Sequence, residues 1–92
     1  MAIKGVTYVE TAGSLTNTTA TLAANPARTG LIIGNPSDTV MTFRIGATAS
    51  ATAGVPIPAG NSVAMLDNCP SGSVSIFCAG TAKSYTAYEM FA

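Results

Sequence analysis

Turn signals recur along this chain at short intervals: Ala12-Gly13, Asn25-Pro26, Asn35-Pro36-Ser37-Asp38, residues 54–60 with Pro56 and Pro58, residues 68–72, and Ala79-Gly80. Short apolar runs lie between them. That rhythm marks an all-β sandwich or barrel. Helix formers are scarce: Gln is absent, and Glu occurs only at Glu10 and Glu89. Ala is common but is mixed with Thr, Ser and Gly, as in residues 47–54, which carry no large apolar stripe to dock a helix. Thr and the other β-branched residues favour strands instead.

About seven short strands are expected, over residues 6–10, 15–24, 31–33, 40–45, 62–66, 73–78 and 84–91. Residues 31–33 are continuously apolar, as in a strand covered on both faces. Residues 40–45 alternate cleanly: Met41, Phe43 and Ile45 point one way, and Val40, Thr42 and Arg44 the other. The expected core is Leu31, Ile33, Met41, Phe43, Ile45, Val63, Met65, Val74, Ile76 and Met90. The expected fold is a small single-domain β-sandwich or jelly-roll-like barrel. Residues 1–14 form an N-terminal arm or edge strand, and residues 15–92 form the sandwich. The 47–54 stretch is read as a loop.

Composition sets the functional class. Of 92 residues, 48% are hydrophobic and only 9% charged, against roughly 25% charged in an ordinary soluble domain. A surface so poor in charge suits a protein that packs against partners. A chain this short buries only about 60–65% of its unfolded surface, so oligomerisation is the expected supplement. Lys plus Arg and Asp plus Glu number 4 each, a net charge of zero. No cluster of cations is present to neutralise a phosphate backbone, which argues against nucleic acid. The longest aliphatic runs, residues 31–33 and 63–66, fall far short of the ~20 residues of a membrane-spanning helix. Met1-Ala2-Ile3-Lys4-Gly5-Val6 has no apolar run of signal-peptide length, so synthesis in the cytoplasm is expected.

Catalytic chemistry is hard to find. His and Trp are absent, which removes the commonest general base and metal ligand. The carboxylates Glu10, Asp38, Asp67 and Glu89 are scattered, and both Asp residues lie in turn contexts. Cys69 as a nucleophile would have no His beside it. Cys69 sits at a turn and Cys78 at the far end of the following strand, too far apart for a bridge, so two free thiols are expected. Residues 30–35 lack the Gly-Lys-Ser/Thr end of a phosphate loop, and Asn17-Thr18-Thr19 is a chance sequon in a Thr-rich strand. No enzyme, cofactor or metal site is expected.

Two charges and a set of aromatic residues are the candidates for binding. Arg44 lies on the polar phase of the cleanest strand; it reads as a solvated side chain or as an intersubunit contact, since Arg is enriched at interfaces. Arg28 is the other informative charge. Tyr8, Tyr85, Tyr88 and Phe91 read equally as core or as interface aromatics.

The middle of the chain carries a resemblance. Ala27-Arg28-Thr29-Gly30-Leu31-Ile32-Ile33-Gly34-Asn35-Pro36-Ser37 leads into Val40-Met41-Thr42-Phe43-Arg44-Ile45-Gly46, then Gly54-Val55-Pro56-Ile57-Pro58-Ala59-Gly60 and Ser73-Val74-Ser75-Ile76-Phe77-Cys78-Ala79-Gly80-Thr81. This resembles small β-sandwich virion proteins of tailed bacteriophages, in which an Arg-x-x-Leu-x-Ile-x-Asn-x-Ser strand precedes a strand ending in Gly, a proline-glycine turn and a closing hairpin. The resemblance spans residues 20–90; the stretch through Leu15 has no counterpart in it. It implies a head decoration or cement protein of the virion, made in the host cytoplasm. Such a protein binds the major capsid protein as a homo-oligomer, with a trimer favoured. The alternative it implies is a tail or fibre module that binds host glycan or connects tail parts. The expected interface residues are Ile3, Val6, Tyr8, Arg28, Val40, Thr42, Arg44 and Val55.

Overall fold

The computed structural model describes residues 7–91. Eight strands form: β1 (Thr7–Leu15), β2 (Thr18–Leu22), β3 (Arg28–Gly34), β4 (Met41–Ile45), β5 (Val55–Ile57), β6 (Ser62–Met65), β7 (Val74–Cys78) and β8 (Lys83–Phe91). They make two four-stranded antiparallel sheets, sheet A in the order β1-β8-β3-β6 and sheet B in the order β2-β7-β4-β5. The described residues contain no helix. β1 pairs with β8, β2 with β7, β3 with β6 and β4 with β5. Such nested pairing is one long hairpin rolled into two layers, the winding of a jelly roll.

The core lies between the sheets. Leu31, Ile33, Met41, Phe43, Val74 and Ile76 are buried there as expected, joined by Leu15, Leu22, Ile57, Cys78, Tyr85 and Ala87. Val63 and Met65 are half-buried against this cluster. Two expected core residues lie elsewhere. Ile45 has the predicted phase, but it is the last residue of β4 and overhangs the packed region, 47% exposed. Met90 alternates with the inward-facing Tyr85, Ala87 and Glu89, so it belongs to the outer face of β8.

Three local readings need correction. The expected strand over 15–24 is two pieces: Leu15 ends β1, and Thr16-Asn17 turn the chain into the other sheet. Asn17 takes a left-handed φ of 50°, which Asn tolerates better than most residues. Its Oδ1 accepts from Gly80 N at 2.9 Å, and Thr16 Oγ1 accepts from Ala82 N at 2.9 Å, so this turn is fastened to the β7–β8 turn. Second, Ala12-Gly13 is not a turn but lies within β1. A Cβ at Gly13 would stand 3.2 Å from Tyr85 Cε1; the glycine makes room for the ring across the ladder. Third, residues 55–57, read as part of a turn, form β5. Pro56 is accommodated because β5 is the outermost strand of sheet B. The N-terminal arm or edge strand resolves, from Thr7 onward, as the edge strand of sheet A.

Candidate functional site

Both ends of the sandwich are held by buried polar hubs. β3 opens on a bulge: Arg28 pairs with Phe91 and Gly30 with Met90, leaving Thr29 unmatched. The bulge turns Arg28 onto the inward side that Leu31 occupies. Its Nε donates to Glu89 Oε2 at 2.9 Å, and Nη2 lies 2.8 Å from the same oxygen in an ion pair. Nη2 also donates to Ala23 O at 2.7 Å, and Nη1 donates to Pro70 O at 2.8 Å and Gly72 O at 3.0 Å. All three guanidinium nitrogens are thereby engaged. One side chain ties the β2–β3 connection, the β6–β7 connection and β8 together. Arg28 is 4% exposed, so it has almost no surface to offer a partner.

At the opposite end of β3, Asn35 does the same work. It is 1% exposed. Its Nδ2 donates to Thr39 O, Ile57 O and Pro58 O at 2.8, 2.9 and 3.3 Å. Its Oδ1 accepts from Ser37 N at 3.1 Å and Ser37 Oγ at 2.6 Å. The series Arg28, Leu31, Ile33, Asn35, Ser37 is therefore a spine: a hub, two core residues, and a second hub with its partner. Beside Asn35 lies a shallow groove of about 260 Å³, lined by Gly34, Asn35, Pro36, Gly60, Asn61, Ser62 and Thr86. It has neither an ionisable group nor an aromatic platform on which a sugar ring could stack.

The outer face of sheet B is covered by the chain itself. The loop over residues 46–54 lies down on β4 and β7. Thr42 Oγ1 donates to Ser50 O at 2.6 Å, Ala49 N donates to Ser75 Oγ at 3.0 Å, and Arg44 Nη1 donates to Thr48 O at 3.4 Å. Ala49 is 2% exposed beneath this contact. Small residues let the loop approach the sheet closely. Gly54 closes it at a φ of 133°, and a Cβ there would stand 2.6 Å from Phe43 O. Thr42 points outward as predicted, but the loop buries it. Arg44, Val40 and Val55 stay exposed around the loop. Ile3 and Val6 lie outside the described residues.

The outer face of sheet A has no such cover among the described residues. Cross-strand register sets Tyr8 beside Met90 and Gly30 in one row, and Glu10 beside Tyr88, Ile32 and Ala64 in the next. Leu66 leans over Gly30, where a Cβ would meet Leu66 Cδ2 at 3.3 Å and Met90 Sδ at 3.2 Å. Tyr8, Leu66 and Tyr88 are 61%, 56% and 41% exposed, and Ile32 and Met90 are half-buried. Glu10 is the one charge on these rows. Its Oε1 accepts from Tyr88 Oη at 3.1 Å, and this bond together with the carboxylate's charge pushes the Tyr88 phenol above its ordinary range. Of the six expected interface residues that are described, Tyr8 alone lies on this face. The sequence signal for the rest was the continuous apolar run 31–33: its middle residue, Ile32, faces outward.

The remaining reactive groups are dispersed. Cys69 and Cys78 are free thiols. Burial pushes both above the usual thiol range, which lowers their thiolate fraction. Lys83 Nζ reaches Asp38 Oδ1 at 2.7 Å in an exposed pair that holds the Asp38 carboxyl below its ordinary value. Among the described residues no three of His, Cys, Asp and Glu converge on a point where a metal could bind. The outer face of sheet A, an exposed apolar surface with one carboxylate, is the candidate functional site. No protein-family model, no curated protein and no solved structure matches this chain.

Proposed function

We propose that this chain is a non-enzymatic structural protein of a phage particle, a head decoration protein that seats the outer face of sheet A on the major capsid protein from outside the shell. The observation that carries the assembly reading is that uncovered face. Tyr8, Tyr88, Ile32, Leu66 and Met90 form a contiguous apolar surface with Glu10 as its one charge. Exposed apolar patches of this kind mark interaction sites. The phage assignment is supported by the resemblance over residues 20–90, whose spine residues have a clear structural role.

A decoration protein stabilises the assembled state by binding it in preference to its rivals. Apolar contact and shape carry such affinity, so salt weakens it only slightly. The test adds purified protein to particles that lack it and follows their melting. Uptake with a raised melting temperature is expected, and Tyr88→Ser with Leu66→Ser should abolish uptake. Particles that neither take up the protein nor melt higher would end the decoration reading in favour of a tail or fibre role.

A further inference from the structure

We propose that β1 is a seam at which two copies of this chain pair, antiparallel about a twofold axis through Thr11, so that sheet A runs continuously from one copy into the next. The proposal deepens the assembly reading and rests on it. It replaces the expected trimer with a twofold unit.

The four edge strands of the sandwich differ sharply. β5 has 3 residues and contains Pro56, β6 has 4 residues, and β2 has 5. Shortness and proline are devices by which sheets protect their edges from other chains. β1 has 9 residues, and its register with β8 runs without a break from Thr7↔Phe91 to Leu15↔Lys83. It has no proline, no lysine, no arginine and no bulge. Among the described residues only β8 flanks it, and Leu15 is its sole buried residue.

The occupant follows from the order of residues within β1. Its first half is bulky (Thr7, Tyr8, Val9, Glu10), and after Thr11 come the small residues Ala12, Gly13 and Ser14. Residues facing each other across a ladder share a face of the sheet, so a symmetric antiparallel pair must centre on one residue. Centring on Thr11 sets Tyr8 against Ser14 of the second copy, Val9 against Gly13, and Glu10 against Ala12. Large meets small at these three pairs, Thr7 meets Leu15 at each end, and a Thr–Thr pair sits on the axis. Centring on Glu10 would oppose two carboxylates, which is destabilising. Centring on Ala12 would leave Thr7 and Tyr8 of β1 without partners. A second β1 therefore fits this edge along its full length, with no like charges opposed. The paired sheets carry the two apolar patches on one outer surface.

The experiment is sedimentation equilibrium of the full chain with no particles present, each variant's thermal melt serving as the folding control. The wild type should be dimeric at micromolar concentration. Ala12→Glu sets a carboxylate against Glu10 of the second copy at two symmetry-related places and should weaken dimerisation about tenfold. Ala12→Lys should strengthen it by a similar factor. In a Cys69→Ser background, mild oxidation should cross-link Thr11→Cys as a dimer and leave Ser14→Cys uncross-linked. A monomeric or trimeric wild type at tens of micromolar would overturn the proposal. So would equal dissociation constants for the two Ala12 variants, or cross-linking at Ser14→Cys rather than Thr11→Cys. Because no capsid is present, a failure here leaves the decoration reading standing, and dimers that ignore particles would refute that reading alone.

Discussion

Outside sheet B, a loop of small residues lies over Thr42 and Ser75 and satisfies both hydroxyls. Outside sheet A, no described residue covers Ile32, Tyr88 and Leu66. The two sheets share one core but finish their outer surfaces in opposite ways. Sheet B presents buried hydroxyls, and polar groups of this kind must find partners within the same chain before it can fold stably. Sheet A presents mostly carbon, which costs less to leave in water and gains when another surface arrives. The contrast separates a face covered by folding from one that no described residue covers.

The largest expected effect comes from uncovering sheet B. Gly54→Val places a branched side chain at a left-handed φ and drives its Cβ toward Phe43 O, 2.6 Å from where that atom would lie. The backbone conformation alone costs about 1–3 kcal/mol. Thermal melting should fall accordingly, and amide exchange should accelerate across 46–54 and at Thr42. Unchanged melting would mean that the loop contributes nothing to the face it covers.

A smaller effect on folding, with a large one on binding, is expected on the other face. Tyr88→Ser and Leu66→Ser remove exposed carbon and should each shift stability by no more than about 0.5 kcal/mol, as for ordinary surface substitutions. A denaturant titration showing a loss of several times that size would make this face part of the core and erase the contrast.

The smallest effect is electrostatic. The raised Tyr88 phenol means that its folded form holds the proton more tightly than the unfolded chain does. Its contribution to stability is complete below the ordinary tyrosine value of 10.0 and disappears as pH rises through the higher folded value. Absorbance titration should show one tyrosine ionising late, and Glu10→Gln should bring it back toward the others. If the late tyrosine persists in that variant, the Tyr88–Glu10 bond is not its cause.

Much of this architecture was legible in the chain. Turn spacing gave the strand rhythm, and alternation in 40–45 assigned Met41 and Phe43 to the core. The misses share a cause. Gly13 reads as a turn because the ring that requires a glycine there, Tyr85, lies 72 positions later in sequence and meets it only across the β1–β8 ladder. β5 reads as a turn because Pro56 disfavours a strand wherever both sides are paired, and only topology makes β5 an edge. Arg28 reads as an interface residue because its acceptors, Ala23 O, Pro70 O, Gly72 O and Glu89, come from three parts of the chain.

What the sequence determined by itself is local: where the chain turns, which residues alternate, and how little charge the surface can hold. These depend on backbone sterics and side-chain chemistry within a few neighbouring residues. The tertiary structure alone decided which outward-facing residues stay exposed. Thr42 and Ile32 both point away from the core on interior strands. One lies under a loop and the other does not, because the 46–54 segment returns across sheet B and no described segment returns across sheet A. Exposure is a property of what lies overhead, and in a jelly roll that is set by connections between strands rather than by the pattern within one.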